Sequence, residues 1–103
     1  MKLNYEGFEN NLFKVSEKLR EGVRYLSIQY LFKFDNGYGA SVVNCYYYGY
    51  CNRYKPWELA VVKFDSDDNF ELDYDTDITD DVIGYLDDEE VRNLLKRISE
   101  LND

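Results

Sequence analysis

The stretch VRYLSIQYLFKFDNGYGASVVNCYYY, Val23 to Tyr48, decides how this chain is organised. Leu26, Ile28, Tyr30, Phe32 and Phe34 occupy alternate positions, and Tyr25, Ser27, Gln29 and Lys33 lie between them. Successive strand residues point to opposite faces, so this alternation predicts a long strand from Val23 with one buried face. Asp35-Asn36-Gly37 then gives a hairpin signal, because Asn-Gly readily takes the positive φ values of a type I′ turn. Tyr38 to Tyr48 reads as the returning antiparallel strand.

Toward the C-terminus, Gly49 to Pro56 breaks the pattern and reads as a loop. Trp57 to Phe64 follows, apolar on both alternating sets: Leu59 and Val61 on one, Ala60, Val62 and Phe64 on the other. That is the pattern of a central strand covered on both faces. Ser66-Asp67-Asp68-Asn69 makes the next turn. A fourth strand is expected from Phe70 to Asp75, with Phe70, Leu72 and Tyr74 facing in and Glu71, Asp73 and Asp75, continued by Asp77, facing out. Thr79 to Gly84 reads as a short capped turn with Thr79 as cap and Gly84 as stop.

Asp87 is placed to cap a final helix. Asp88, Glu89 and Glu90 complement its positive first turn, and Arg92, Lys96 and Arg97 lie toward its negative end. Its apolar stripe is Val91, Leu94, Leu95, Ile98 and Leu101. Toward the N-terminus, Phe8, Leu12, Val15 and Leu19 recur at helical spacing, with Asn10 or Asn11 as cap and Gly22 as left-handed stop, predicting a helix from about residue 10 to 21. The expected architecture is α+β: a four-stranded antiparallel meander with an N-terminal and a C-terminal helix.

The 103 residues form one expected domain, with 45% apolar and 17% aromatic residues as core material and a single proline arguing against disorder. No apolar run approaches the roughly 18 residues that span a bilayer. The N-terminus also lacks the charged-then-apolar order of a signal peptide, so a cytoplasmic location and no membrane contact are expected. Cys45 and Cys51 alone cannot supply the usual four ligands of a structural zinc site, and in a reducing compartment they are expected to be free thiols. There is no histidine, which removes the commonest general base near neutral pH and every dyad, triad or metal site that contains it.

Charge is unevenly spread. Up to Trp57 the chain carries eight Lys/Arg and five Asp/Glu; beyond it, four and sixteen, so the halves bear +3 and −12. Between Asp65 and Glu90, thirteen of 26 residues are acidic and none is basic. Such a field repels nucleic acid and anionic membranes and attracts basic surfaces, more weakly as salt rises. Direct nucleic-acid binding is therefore not expected.

Asp65, Asp67 and Asn69 match the first, third and fifth positions of a calcium-binding EF-hand loop, but Phe70 stands where glycine is needed and Thr76 where a bidentate glutamate is needed. A turn rich in Asp and Asn explains the same residues, and no metal site is assigned. Glu71, Asp73, Asp75 and Asp77 would stand about 6.6 Å apart along one strand face, roughly two axial steps of one DNA strand. The row reads either as a nucleic-acid-like stripe or as an ordinary solvated face that aids solubility. Tyr46, Tyr47, Tyr48, Tyr50 and Tyr54, with Trp57, have the composition of an interaction hot spot, although tyrosines packed in a core with hydroxyls reaching solvent give the same pattern. No nucleophile elbow, P-loop or dinucleotide fingerprint is present, and Gly37-Tyr38-Gly39 lacks the third glycine of a phosphate cradle. No catalytic residue and no cofactor is assigned, and enzymatic activity is not expected.

The segments FDNGYGASVV (Phe34 to Val43), WELAVV (Trp57 to Val62) and YDTDITDDVIGYLDDEEV (Tyr74 to Val91) resemble small uncharacterised proteins of phages and prophages of Gram-positive bacteria. The likeness covers roughly two thirds of the chain and leaves out the N-terminal segment. It assigns no residue a role, and what it implies is context. Small acidic phage proteins often inhibit host defence enzymes, many by imitating nucleic acid, so the resemblance implies an inhibitor of anti-CRISPR or anti-restriction type in the host cytoplasm. Its partner would be the basic surface of a host nucleic-acid-processing protein, met by the acidic row and the tyrosines. Two alternatives stand beside this. One is a phage structural or accessory module that self-associates, as a homo-oligomer, or binds a basic protein. The other is a sponge for a signalling nucleotide, with Arg24, Arg53 and Lys55 as the available cations.

Overall fold

The computed structural model describes residues 2–19, 26–44, 54–73, 76, 78 and 82–102. Its elements are a 3₁₀ turn Glu9–Asn11, strands β1 (Leu12–Leu19), β2 (Leu26–Lys33), β3 (Tyr38–Asn44), β4 (Trp57–Phe64), β5 (Phe70–Leu72) and β6 (Ile83–Leu86), and helix α1 (Asp88–Ser99). All paired strands are antiparallel, in the order β1-β2-β3-β4-β5, with β6 also paired to β4.

Two elements depart from the sequence expectation. The N-terminal helix is a strand: residues 12–19 pair with β2 from Leu12 opposite Phe32 to Leu19 opposite Leu26, with a bulge between Leu12 and Lys14. The helical spacing of Phe8, Leu12, Val15 and Leu19 is a local signal, and the open edge of β2 offers a whole ladder of long-range hydrogen bonds that overrides it. Asn11, read as a helix cap, instead donates its side-chain amide to the Lys33 carbonyl at 3.3 Å. Gly22, read as the stop, lies outside the described residues. The sheet accordingly has more than the four strands expected.

The second departure lies along β4. The fourth expected strand ends at Leu72 rather than Asp75, and the expected turn over Thr79 to Gly84 gives way, where it is described, to β6. Val62 stands opposite Leu72, and Leu59 opposite Ile83, so β5 and β6 lie end to end along one edge of β4. Residues 74–82 connect them; of these Tyr74, Asp75, Asp77, Thr79, Asp80 and Asp81 lie outside the described residues.

Other expectations hold. β4 is central, with β3 on one side and β5 and β6 on the other. Helix α1 is capped by Asp87, whose side chain accepts from the Glu90 N–H while the Glu90 side chain accepts from the Asp87 N–H, a reciprocal box that satisfies two end donors. Val91, Leu95 and Ile98 are fully buried, with Leu94 and Leu101 partly so. They pack on Phe32, Ala40, Val42, Trp57, Leu59 and Val61, which share one face of the sheet. Removing an aliphatic side chain of this kind from water contributes about 1.5–3 kcal/mol. The N-terminal segment closes the β2 end of that face: Tyr5 packs on Tyr30 and Phe32, and Phe8 on Phe34, with ring centroids 5.7, 5.8 and 6.2 Å apart.

The β2–β3 turn is tight but is not type I′. Gly37 N–H donates to Phe34 O at 3.1 Å, Phe34 N–H to Tyr38 O at 2.8 Å, and of the turn residues Gly37 alone has positive φ, +87°. This is a three-residue connection in which a type I turn is followed by a left-handed glycine bulge. Asn36 keeps negative φ because its side chain is engaged elsewhere: Oδ1 accepts from Tyr38 N–H at 2.9 Å and Nδ2 donates toward the end of α1.

Candidate partner-binding site

The face of the sheet away from α1 has no helix of its own among the described residues. Leu31, Val62 and Phe64 form a small second cluster there. Paired residues share a face, so Phe70 opposite Phe64 and Leu72 opposite Val62 belong to it too. A row of rings runs across it, Phe13 to Phe64 at 5.4 Å and Phe64 to Phe70 at 5.7 Å. The row is possible because Gly39 has no side chain: a Cβ there would stand 2.7 Å from Phe64 Cε2 and 2.0 Å from Phe32 O. Lys33 lies over the Phe13 and Phe64 rings, 5.8 and 5.4 Å from their centroids, and its ammonium pairs with Asp68.

Asp68 belongs to the turn between β4 and β5, which repeats the geometry of the first hairpin. Asp65 N–H donates to Asn69 O at 2.9 Å, Asp68 N–H donates to Asp65 O at 3.2 Å, and Asp68 takes φ +62° where the first hairpin has glycine. The Asp65 carboxylate accepts from the N–H groups of Asp67 at 2.8 Å and Asn69 at 3.0 Å, which holds the turn. This is the role of the residues that matched a calcium loop, and among the described residues no three potential ligands converge on a metal position. Asp65, Asp67, Asp68 and Glu71 are all exposed.

The other expected site residues are dispersed. Glu71 sits opposite Lys63, on the same face as α1; Asp73 is half-buried and donates its N–H to Val61 O at 2.8 Å. β5 therefore does not separate into a buried and an open side as expected: Glu71 is exposed, and Phe70 and Leu72 are 40% and 48% exposed as well, because the face they point to is the one without a helix. Asp75, Asp77, Tyr46, Tyr47, Tyr48 and Tyr50 lie outside the described residues. Tyr54, 81% exposed, precedes β4, whereas Glu71 faces its far end, about 20 Å away by strand rise. Tyr54 and Glu71 therefore do not form one patch.

Of the cations considered for a signalling nucleotide, Arg24 and Arg53 lie outside the described residues. The ammonium of Lys55 is 3.0 Å from Glu90 Oε1. Its pKa is raised, chiefly by that hydrogen bond and then by the Glu90 charge, with Asp87 adding to the effect. Beside β5, Phe64, Asp65, Glu71, Leu72 and Asp73 line a depression of about 510 Å³. A second, of about 500 Å³, lies under the N-terminal segment between Tyr5, Val15, Glu17 and Tyr30. No described helix is long and apolar enough to cross a membrane.

Composition alone does not show Phe13, Phe70 and Leu72 as an exposed group. The only sequence signal for Phe70 and Leu72 is the alternation in β5, which marks a face without saying whether anything covers it, and Phe13 lies in the segment whose spacing reads as a helix. Comparison of the chain with models of known families, with curated proteins and with solved structures found no match.

Proposed function

We propose that this is a non-catalytic binding protein whose acidic β4–β5 hairpin occupies the basic, phosphate-binding groove of a nucleic-acid-processing enzyme and so inhibits it. The observation that carries the reading is the exposure of Asp65, Asp67, Asp68 and Glu71 on one tight turn and its strand, with Asp65 fixed by two backbone hydrogen bonds. Carboxylates held in place lose little conformational freedom on meeting a basic groove, and the concentrated field speeds encounter. The resemblance to phage proteins supports a host enzyme of the CRISPR or restriction type as the target.

The test is affinity capture from nuclease-treated host lysate at low and high salt, using the protein and an Asp67→Lys/Glu71→Lys variant. The expected result is a DNA-processing enzyme that is released by salt, is not captured by the variant, and loses its DNA when the protein is added. Equal capture by the variant overturns the reading.

A further inference from the structure

We infer that the outer edge of β5 is a strand-addition site for an extended segment of a partner protein in which basic and apolar residues alternate.

The hydrogen bonds that bracket β5 fix which way its backbone points. Asp65 N–H donates to Asn69 O and Asp73 N–H to Val61 O. In an antiparallel ladder bonded and non-bonded pairs alternate, so Lys63 with Glu71 is the bonded pair between them. Phe70 and Leu72 fall on the other positions, where N–H and C=O turn away from β4. Phe64, opposite Phe70, agrees with this parity, since its N–H donates the other way, to Gly37 O at 2.8 Å. β5 is last in the strand order, and among the described residues no backbone partner meets the four outward groups of Phe70 and Leu72. Unpaired edge groups of this kind template another strand, and adding a peptide strand to such an edge is an established mode of recognition.

The side chains specify the occupant. An incoming strand bonded to Phe70 and Leu72 places the residues opposite them on the face without a helix, where apolar side chains would prolong the row Phe13, Phe64, Phe70. The residue between falls opposite Glu71 in a non-bonded pair, where side chains come closest, and Asp65 and Asp67 extend the acidic surround. A lysine or arginine fits there. A second copy of β5 does not, because antiparallel pairing in this register sets Glu71 against Glu71. The charge part of this inference rests on the proposed function; the backbone part does not.

The probe is a short synthetic peptide alternating lysine with valine, compared with a peptide of the same composition in which the lysines precede the valines. Affinity for both is measured by titration against the unaltered protein, Leu72→Pro and Glu71→Lys, with amide exchange of the unaltered protein followed by NMR. Proline at residue 72 removes an outward N–H and leaves the ladder to β4 intact. The alternating peptide is expected to bind on the order of tenfold more tightly than the blocked one, and on the order of tenfold more weakly to Leu72→Pro. The Phe70 and Leu72 amides should exchange more slowly in the complex. Failure of the alternating peptide to bind, or bound peptide with unprotected Phe70 and Leu72 amides, overturns strand addition. If Glu71→Lys still weakens that binding, the acidic-surface reading survives alone. If Glu71→Lys binds unchanged while the amides are protected, strand addition stands and the charge reading falls.

Discussion

The side-chain amide of Asn36, in the turn between β2 and β3, donates to the carbonyl oxygens of Ile98 at 2.8 Å and Leu101 at 3.0 Å. A hairpin turn thereby satisfies acceptors at the C-terminal end of a helix more than 60 residues away. Both ends of α1 are held: by its own capping box at the start, and by the sheet's turn at the finish.

Replacing the Asn36 amide with a carboxylate tests that clasp. Asn36→Asp loses two donors and sets negative charge against the negative end of the helix, so a stability loss of roughly 2–3 kcal/mol is expected. Asn36→Ala loses the same two donors and also the Oδ1 that accepts from Tyr38 N–H, but it sets no charge against the helix end and should lose less. Urea unfolding of both variants measures the order; equal losses would remove the electrostatic part of the account.

Gly39 is required by its neighbours rather than by its dihedrals. A Cβ 2.0 Å from the Phe32 carbonyl oxygen meets backbone that cannot rotate aside. Gly39→Ala is therefore expected at or beyond the upper end of the usual overpacking cost, about 3 kcal/mol, with a matching fall in Tm. An unchanged melting curve would show that β2 and β3 can separate at no cost.

Trp57 is buried to 1% exposure, and its indole N–H donates to Asp88 Oδ1 at 2.8 Å, fastening the start of β4 to the first turn of α1. Asp88→Ala leaves that N–H without its acceptor and should cost about 1–3 kcal/mol, whereas Asp88→Asn retains an acceptor and should cost less. Denaturation followed by tryptophan fluorescence reports both values on the residue concerned.

Glu90 Oε1 accepts from the Asp87 N–H at 3.1 Å and from Lys55 at 3.0 Å. Lys55 has a raised pKa, so its contribution is fully present below the ordinary lysine value of about 10.4 and is lost as pH rises through the raised value. The unaltered protein should lose stability relative to Lys55→Met on the alkaline side alone, and the two curves should run parallel at neutral pH. A difference that changes between about pH 5 and 8 would place the coupling on another group.

What the sequence discloses follows the range of the forces involved. Asp87, Glu90 and the Val91, Leu95, Ile98 stripe lie within one helix, so α1 can be read from local spacing. β4 can be read because apolar residues on both alternating sets admit few other structures. The pairing of Leu12–Leu19 with β2 is long-range, and the same residues carry a helical spacing, so the local pattern misleads. The alternation of Phe70 to Asp73 is visible, but which side is covered depends on where α1 packs. Which backbone groups point outward depends on two hydrogen bonds that no composition reveals. Tyr54 and Glu71 look like neighbours only while the intervening strand has no length.

Asp73, bonded to Val61, and Ile83, opposite Leu59, stand only two strand positions apart along the edge of β4, with residues 74–82 between them in the chain. The ladder is continuous on either side, so lengthening this stretch shifts no register as long as Ile78, which packs against the core, is kept. Even doubling such a segment costs only about 0.6 kcal/mol of closure entropy. Here is a place where a lineage can vary an acidic connection, or an engineer can graft a foreign one around Ile78, while the sheet that presents it stays the same.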